Sequence, residues 1–166
     1  MTRRRLESLR LGVEAALVAS VPQVLLSKLE EKLFLPPGED ADLGPRFVER
    51  LAARARRPLP EDVKWLAASA FHFGYAALWG ALYALAYERR PVHPLAGGLL
   101  LAGVIYAITF TPWGGAVQSG AEMPPRQRSR RKEAVLVTAP LTFGLGTALG
   151  YGRGPRPWYR SWRRTR

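Results

Sequence analysis

Three stretches without a formal charge limit what this chain can fold into. They cover residues 65–87, 91–121 and 134–152, and all 38 Asp, Glu, Lys and Arg residues of the 166-residue chain lie outside them. A membrane-spanning helix needs about 20 predominantly apolar residues. Lipid offers no partner to a backbone N–H or C=O, so such a stretch crosses as a helix. The bulk averages hide this. A net charge of +12 suggests a nucleic-acid binder, and a mean hydropathy of −0.09 suggests a soluble domain. Once the charges are seen to sit between the uncharged stretches, the layout becomes spans joined by charged loops. No nucleic-acid partner is then expected.

The expected fold is an all-α integral membrane protein. It is a bundle of four transmembrane helices over residues 1–152, with helices at about 11–35, 65–87, 95–113 and 134–151. The first helix has only 13 uncharged residues, Ala15 to Ser27, and Arg3–Arg5 before it resemble a signal-peptide start. Glu14 interrupts the apolar run, which continues to Leu35, so cleavage is not expected. Pro22 should kink this helix. Within the polar connection after Pro36-Pro37, Phe47, Val48, Leu51, Ala52 and Ala55 recur at helical spacing. They predict a short amphipathic surface helix over about 45–57, lying either on the membrane or on the bundle. The short 88–94 loop predicts an antiparallel hairpin of the second and third spans.

Small residues four apart let helix backbones approach closely. Ala70, Gly74, Ala77 and Ala81 form such a face on the second span, opposite His72, Ala76, Trp79 and Tyr83. Gly98 and Gly103 on the third span, and Gly146 and Gly150 on the fourth, offer the same packing. This surplus of small faces motivates a homo-oligomer or a larger membrane complex. The stretch from Gly114 to Pro125 reads as flexible or re-entrant.

The cations are expected at anionic lipid headgroups. Arg126, Arg128, Arg130, Arg131 and Lys132 form a basic loop. The tail 153–166 interleaves Arg160, Arg163 and Arg164 with Trp158, Tyr159 and Trp162, as interfacial anchors do. With four spans, the side holding the N-terminus, the 88–94 loop and the tail carries 12 cations against 11 on the other. That margin favours cytoplasmic termini only slightly.

Candidate chemistry is sparse. Cys is absent, which excludes disulfides, thiol catalysis and Cys-based metal sites. No nucleophile–His–acid arrangement, phosphate loop or metal spacing is present. Catalysis needs convergent groups, so neither an enzyme nor a cofactor is expected. An intramembrane polar residue is nevertheless a candidate site. Glu14, His72, Thr109 and Thr142 are the four that could line a polar pathway for protons or another small solute. The competing readings are a carboxylate near Arg10 for Glu14, and one hydrogen bond to a neighbouring helix for His72. His72 and His93 cannot share a haem iron, because His93 lies beyond Tyr87, itself about 22 Å along the helix from His72.

The order of features resembles the YagU-like family of small bacterial inner-membrane proteins. The resemblance covers roughly Gly12 to Arg153. It rests on Glu30-Glu31-Lys32-Leu33-Phe34-Leu35-Pro36-Pro37, then His72 leading a helix that ends Tyr83-Ala84-Leu85-Ala86-Tyr87-Glu88. Leu95–Leu101 follow, with Phe110, Pro112, Gly114 and Pro124-Pro125 after them. The Arg-rich aromatic tail departs from the pattern. The resemblance implies a multi-pass protein of the bacterial inner membrane with a role at the cell envelope, and it supplies no catalytic residues. The leading expectation is a non-enzymatic structural or accessory membrane protein. The alternative is a small channel or transporter using Glu14 and His72.

Overall fold

The computed structural model describes residues 3–37, 39 and 43–153. The tail anchors Arg160, Arg163 and Arg164 lie outside the described residues. The chain forms α1 (Arg3–Phe34), α2 (Leu43–Arg54), α3 (Glu61–Arg89), α4 (Pro94–Phe110), α5 (Gly115–Gln118) and α6 (Arg130–Arg153), with one 3-10 turn at Pro125–Gln127. Three segments are long and apolar enough to cross a membrane: 5–34, 94–118 and 130–153. α3 is long enough at 29 residues. It is not one of those three segments, because its Trp, Tyr and His side chains count as polar in mean hydropathy.

Local signals set the helix ends. Pro60 precedes α3, and Glu61 and Asp62 occupy its first turn, where the helix dipole favours acids. Glu61 accepts from Lys64 Nζ at 2.7 Å and from Trp65 Nε1 at 3.0 Å. Lys64 holds the Glu61 carboxyl below its usual range, and Glu61 in turn raises the Lys64 ammonium. His93 caps α4, its Nδ1 accepting from Leu95 N. Ser129 caps α6, its Oγ accepting from Lys132 N at 3.1 Å. α1 continues as one helix through Pro22.

The four long helices alternate in direction. Gly12 faces Ala84 while Ala16 faces Gly80, so α1 and α3 are antiparallel. Gly150 meets Ala15 and Gly146 meets Ala19, which makes α6 antiparallel to α1. Gly98 meets Gly144 and Leu145, and Tyr106 reaches Glu133, which runs α4 against α6. The principal contacts therefore follow the order α3–α1–α6–α4. The expected α3–α4 hairpin has the right directions but not the expected packing. Each of its helices packs chiefly on α1 or α6 instead.

Every principal interface is a pair of small-residue motifs. A Cβ on Gly12 would lie 2.3 Å from the Gly80 carbonyl, and one on Gly144 would lie 2.5 Å from the Gly98 carbonyl. These backbones touch, which only glycine permits. Gly98 sits at such a contact, and Gly146 and Gly150 sit against the Ala19 and Ala15 side chains. Gly74 and Gly103 do not, because a Cβ on either would meet nothing within 4 Å. Ala70 is exposed, and Ala77 and Ala81 are half-buried. The inner face of α3 is instead the aromatic one, with Ala76, Trp79, Tyr83 and Tyr87 in the core. Burying those rings removes far more apolar area from the surroundings than burying alanines.

Candidate functional site

At one end the bundle is tight. Tyr83, Tyr87 and Tyr151 stack edge to face with ring centroids 5.5 Å apart for the two Tyr151 pairs. Ser8 Oγ lies 2.5 Å from the Tyr151 hydroxyl. Gly97 leaves room for Tyr83, whose hydroxyl would lie 2.7 Å from a Cβ there.

Toward the other end α3 and α4 part, and a cavity of about 370 Å³ opens between them. Phe71, Tyr75 and Ala76 wall it from α3, and Ile105, Ile108 and Thr109 from α4. Val135, Leu136 and Phe143 of α6 and Val24 of α1 complete the sides, with Phe47 of α2 and Ala116 of α5 across the end. Phe47, Phe71 and Tyr75 form a stacked row, centroids 4.7 and 5.8 Å apart. Pockets that are mostly apolar, with a few placed polar groups, are the usual form of small-molecule sites.

Two of the four predicted polar residues meet here. His72 and Thr109 both line the cavity. Thr109 Oγ1 lies 2.8 Å from the Tyr75 hydroxyl. His72 Nε2 is closed off from solvent and has no hydrogen-bond partner among the described residues. Glu14 is elsewhere: it is half-exposed on the outside of α1 and accepts from Arg10 Nε at 2.7 Å. Thr142 is half-buried on α6 and is not among the lining residues. A continuous path joining all four is therefore not formed.

Beside the cavity lies a site the sequence did not disclose. The chain turns back after α4, with Gly114 packed against the Thr109 carbonyl and α5 packed on α4. Gly120 turns it again at φ 77°, and Glu122 N donates to Ala116 O at 3.0 Å. The stretch expected to be loose is thus a folded cap. Its Glu122 carboxylate is fully buried and takes three cations: Lys132 at 3.1 Å, Arg46 at 3.3 Å and Arg128 at 3.9 Å. The first and last of these are buried as well. Arg128 also donates to the Phe110 and Met123 carbonyls at 2.8 and 2.7 Å, and pairs with Glu133 at 3.0 Å. The Tyr106 hydroxyl donates to Glu133.

Two of the five basic-loop residues therefore point inward rather than at lipid headgroups. Arg126, Arg130 and Arg131 are exposed. The cause is non-local. Only when the cap folds back does a buried carboxylate await Arg128 and Lys132, and a buried charge requires such pairing.

No family model, curated protein or solved structure matches the chain.

Proposed function

We propose that the chain is a four-span integral membrane protein with a structural or accessory, non-enzymatic role. The observation that carries this is the outward dressing of all four long helices. Val18, Leu25 and Leu29 on α1, Leu66, Phe73 and Leu78 on α3, Leu99 and Leu100 on α4, and Val137 and Leu149 on α6 are all exposed. A soluble protein rarely exposes contiguous apolar surface on this scale, whereas in lipid it is the required outer face. α3 carries the same dressing as the other three long helices, which supports its crossing as well. Its exposed Ser69 hydroxyl donates to the Trp65 carbonyl at 2.9 Å, so that hydroxyl is paired within the helix. α2 buries no residue completely, and on this reading its outer charged face lies at the membrane surface.

On this placement both termini share one side with the 90–93 link, in a bacterial inner membrane with the termini cytoplasmic. Ala70, Gly74 and Gly103 remain on the outside, available to a second copy. Carbonate extraction tests the central reading. The protein stays in the membrane pellet if it spans and moves to the supernatant if it does not. Crosslinking in native membranes tests self-association, and a yield of monomer alone contradicts it.

A further inference from the structure

Helix bundles normally fill their interiors at close to crystalline density. The wide end of this one leaves about 370 Å³ open. That lies within the range of small-molecule sites, about 300–1,000 Å³. It is more than twice the roughly 150 Å³ of an engineered apolar cavity that stays dry and admits benzene. Phe71, Tyr75, Phe110 and Phe143 supply flat apolar walls. Tyr75 and Thr109 are engaged with each other. His72, on the same wall, keeps a buried Nε2 with no partner among the described residues, a costly state unless something answers it.

We propose that this cavity binds a neutral lipophilic small molecule. Its apolar body lies along the rings, and a single carbonyl or hydroxyl oxygen hydrogen-bonds His72 Nε2, which a turn of the imidazole about its Cβ–Cγ bond brings into the cavity. A neutral imidazole nitrogen is either a donor or an acceptor, so either oxygen type completes the bond. A charged ligand does not suit these walls, because the one cation on them, Lys28, is paired with Glu31 at 3.4 Å, and an unpaired charge there would be costly. Such a molecule has two sources in a bilayer: the oxygen-bearing part of a membrane lipid, or a free isoprenoid or quinone-like compound dissolved among the lipids. The inference rests on the membrane placement above.

The test uses the full chain in phosphatidylcholine nanodiscs, with decylbenzoquinone as probe and decylbenzene as its oxygen-free control. The quinone should raise the Tm saturably and bind more tightly than the control. His72→Leu should weaken the quinone about tenfold and leave the control unchanged, while His72→Gln, which keeps a hydrogen-bonding amide, restores most of the loss. Ala139→Phe, which puts a ring into the cavity, should abolish both shifts. Equal affinity for the two probes, or no response to His72→Leu, overturns the proposal. So does the absence of any saturable shift from a protein that still resists carbonate extraction, an outcome that leaves the membrane placement intact. Solvent extracts of protein purified from its own membranes identify the source. A neutral lipid or other neutral compound enriched over the bulk membrane, and lost in Ala139→Phe, supports the proposal, and enrichment of a phospholipid alone overturns it. Extracts matching the bulk membrane for both proteins overturn it.

Discussion

The two ends of the bundle are held by opposite means. At the tyrosine end, glycine and alanine bring backbones into contact, and what remains is filled by rings. Among the described residues, nothing buried there carries a charge. At the other end a cavity lies between α3 and α4, and beside it the cap is held by Glu122, Arg128 and Lys132, all buried. The comparison separates two routes to a fixed helix arrangement. Dispersion across a small-residue seam is short-ranged and intolerant of one extra methylene. A buried ion cluster spans a wider gap, but it must be complete, because each member is costly without the others.

Breaking the charged end should have the largest effect. Glu122→Leu leaves Arg128 and Lys132 buried without their common partner, and should cost about 3–5 kcal/mol. Thermal unfolding in detergent measures this, and an unchanged Tm would mean the cap is not what holds that end. Breaking the tight end comes next. Gly12→Val drives two methyls toward the Gly80 carbonyl, and should cost about 1–3 kcal/mol by forcing α1 from α3. The same assay should show Gly74→Ala and Gly103→Ala going the other way. Both sites are open, so relief of unfolded-chain entropy should stabilise each by about 0.4–1 kcal/mol. A loss at Gly74 equal to that at Gly12 would erase the distinction between the faces.

The smallest effect belongs to the exposed start of α3. Glu61 titrates below its usual value, so its contribution is present above the ordinary carboxylate range and fades as the pH falls through the lowered value. Lys64 titrates above its usual value, so its contribution is complete below the ordinary lysine range and fades as the pH rises through the raised one. Amide exchange in the first turn should therefore be slowest between those limits, and Glu61→Gln should flatten the acid side of the profile.

The sequence disclosed the helices more fully than their contacts. Uncharged stretches located α3, α4 and α6, and apolar spacing located α2 to within a few residues. Which face of α3 turns inward was not readable, because a small stripe and an aromatic stripe both suit a helix interface. The choice depends on the shape of α1, whose Gly12 is disguised between Arg10 and Glu14. Arg128 and Lys132 were unreadable for a stronger reason. In an Arg-rich run they look like their solvated neighbours, and only the fold-back at Gly114 and Gly120 carries a carboxylate to them. His72 and Thr109 were legible as intramembrane polar residues, but the cavity that joins them is a property of four helices at once.

The account depends most on α3 crossing the membrane, and the absence of cysteine makes that directly measurable. Single substitutions Arg57→Cys and Arg90→Cys flank α3, and Leu78→Cys sits at its middle. In sealed vesicles treated with an impermeant maleimide, the account predicts that Arg57→Cys and Arg90→Cys label from opposite sides and Leu78→Cys from neither. Labelling of Arg57→Cys and Arg90→Cys from the same side would contradict it.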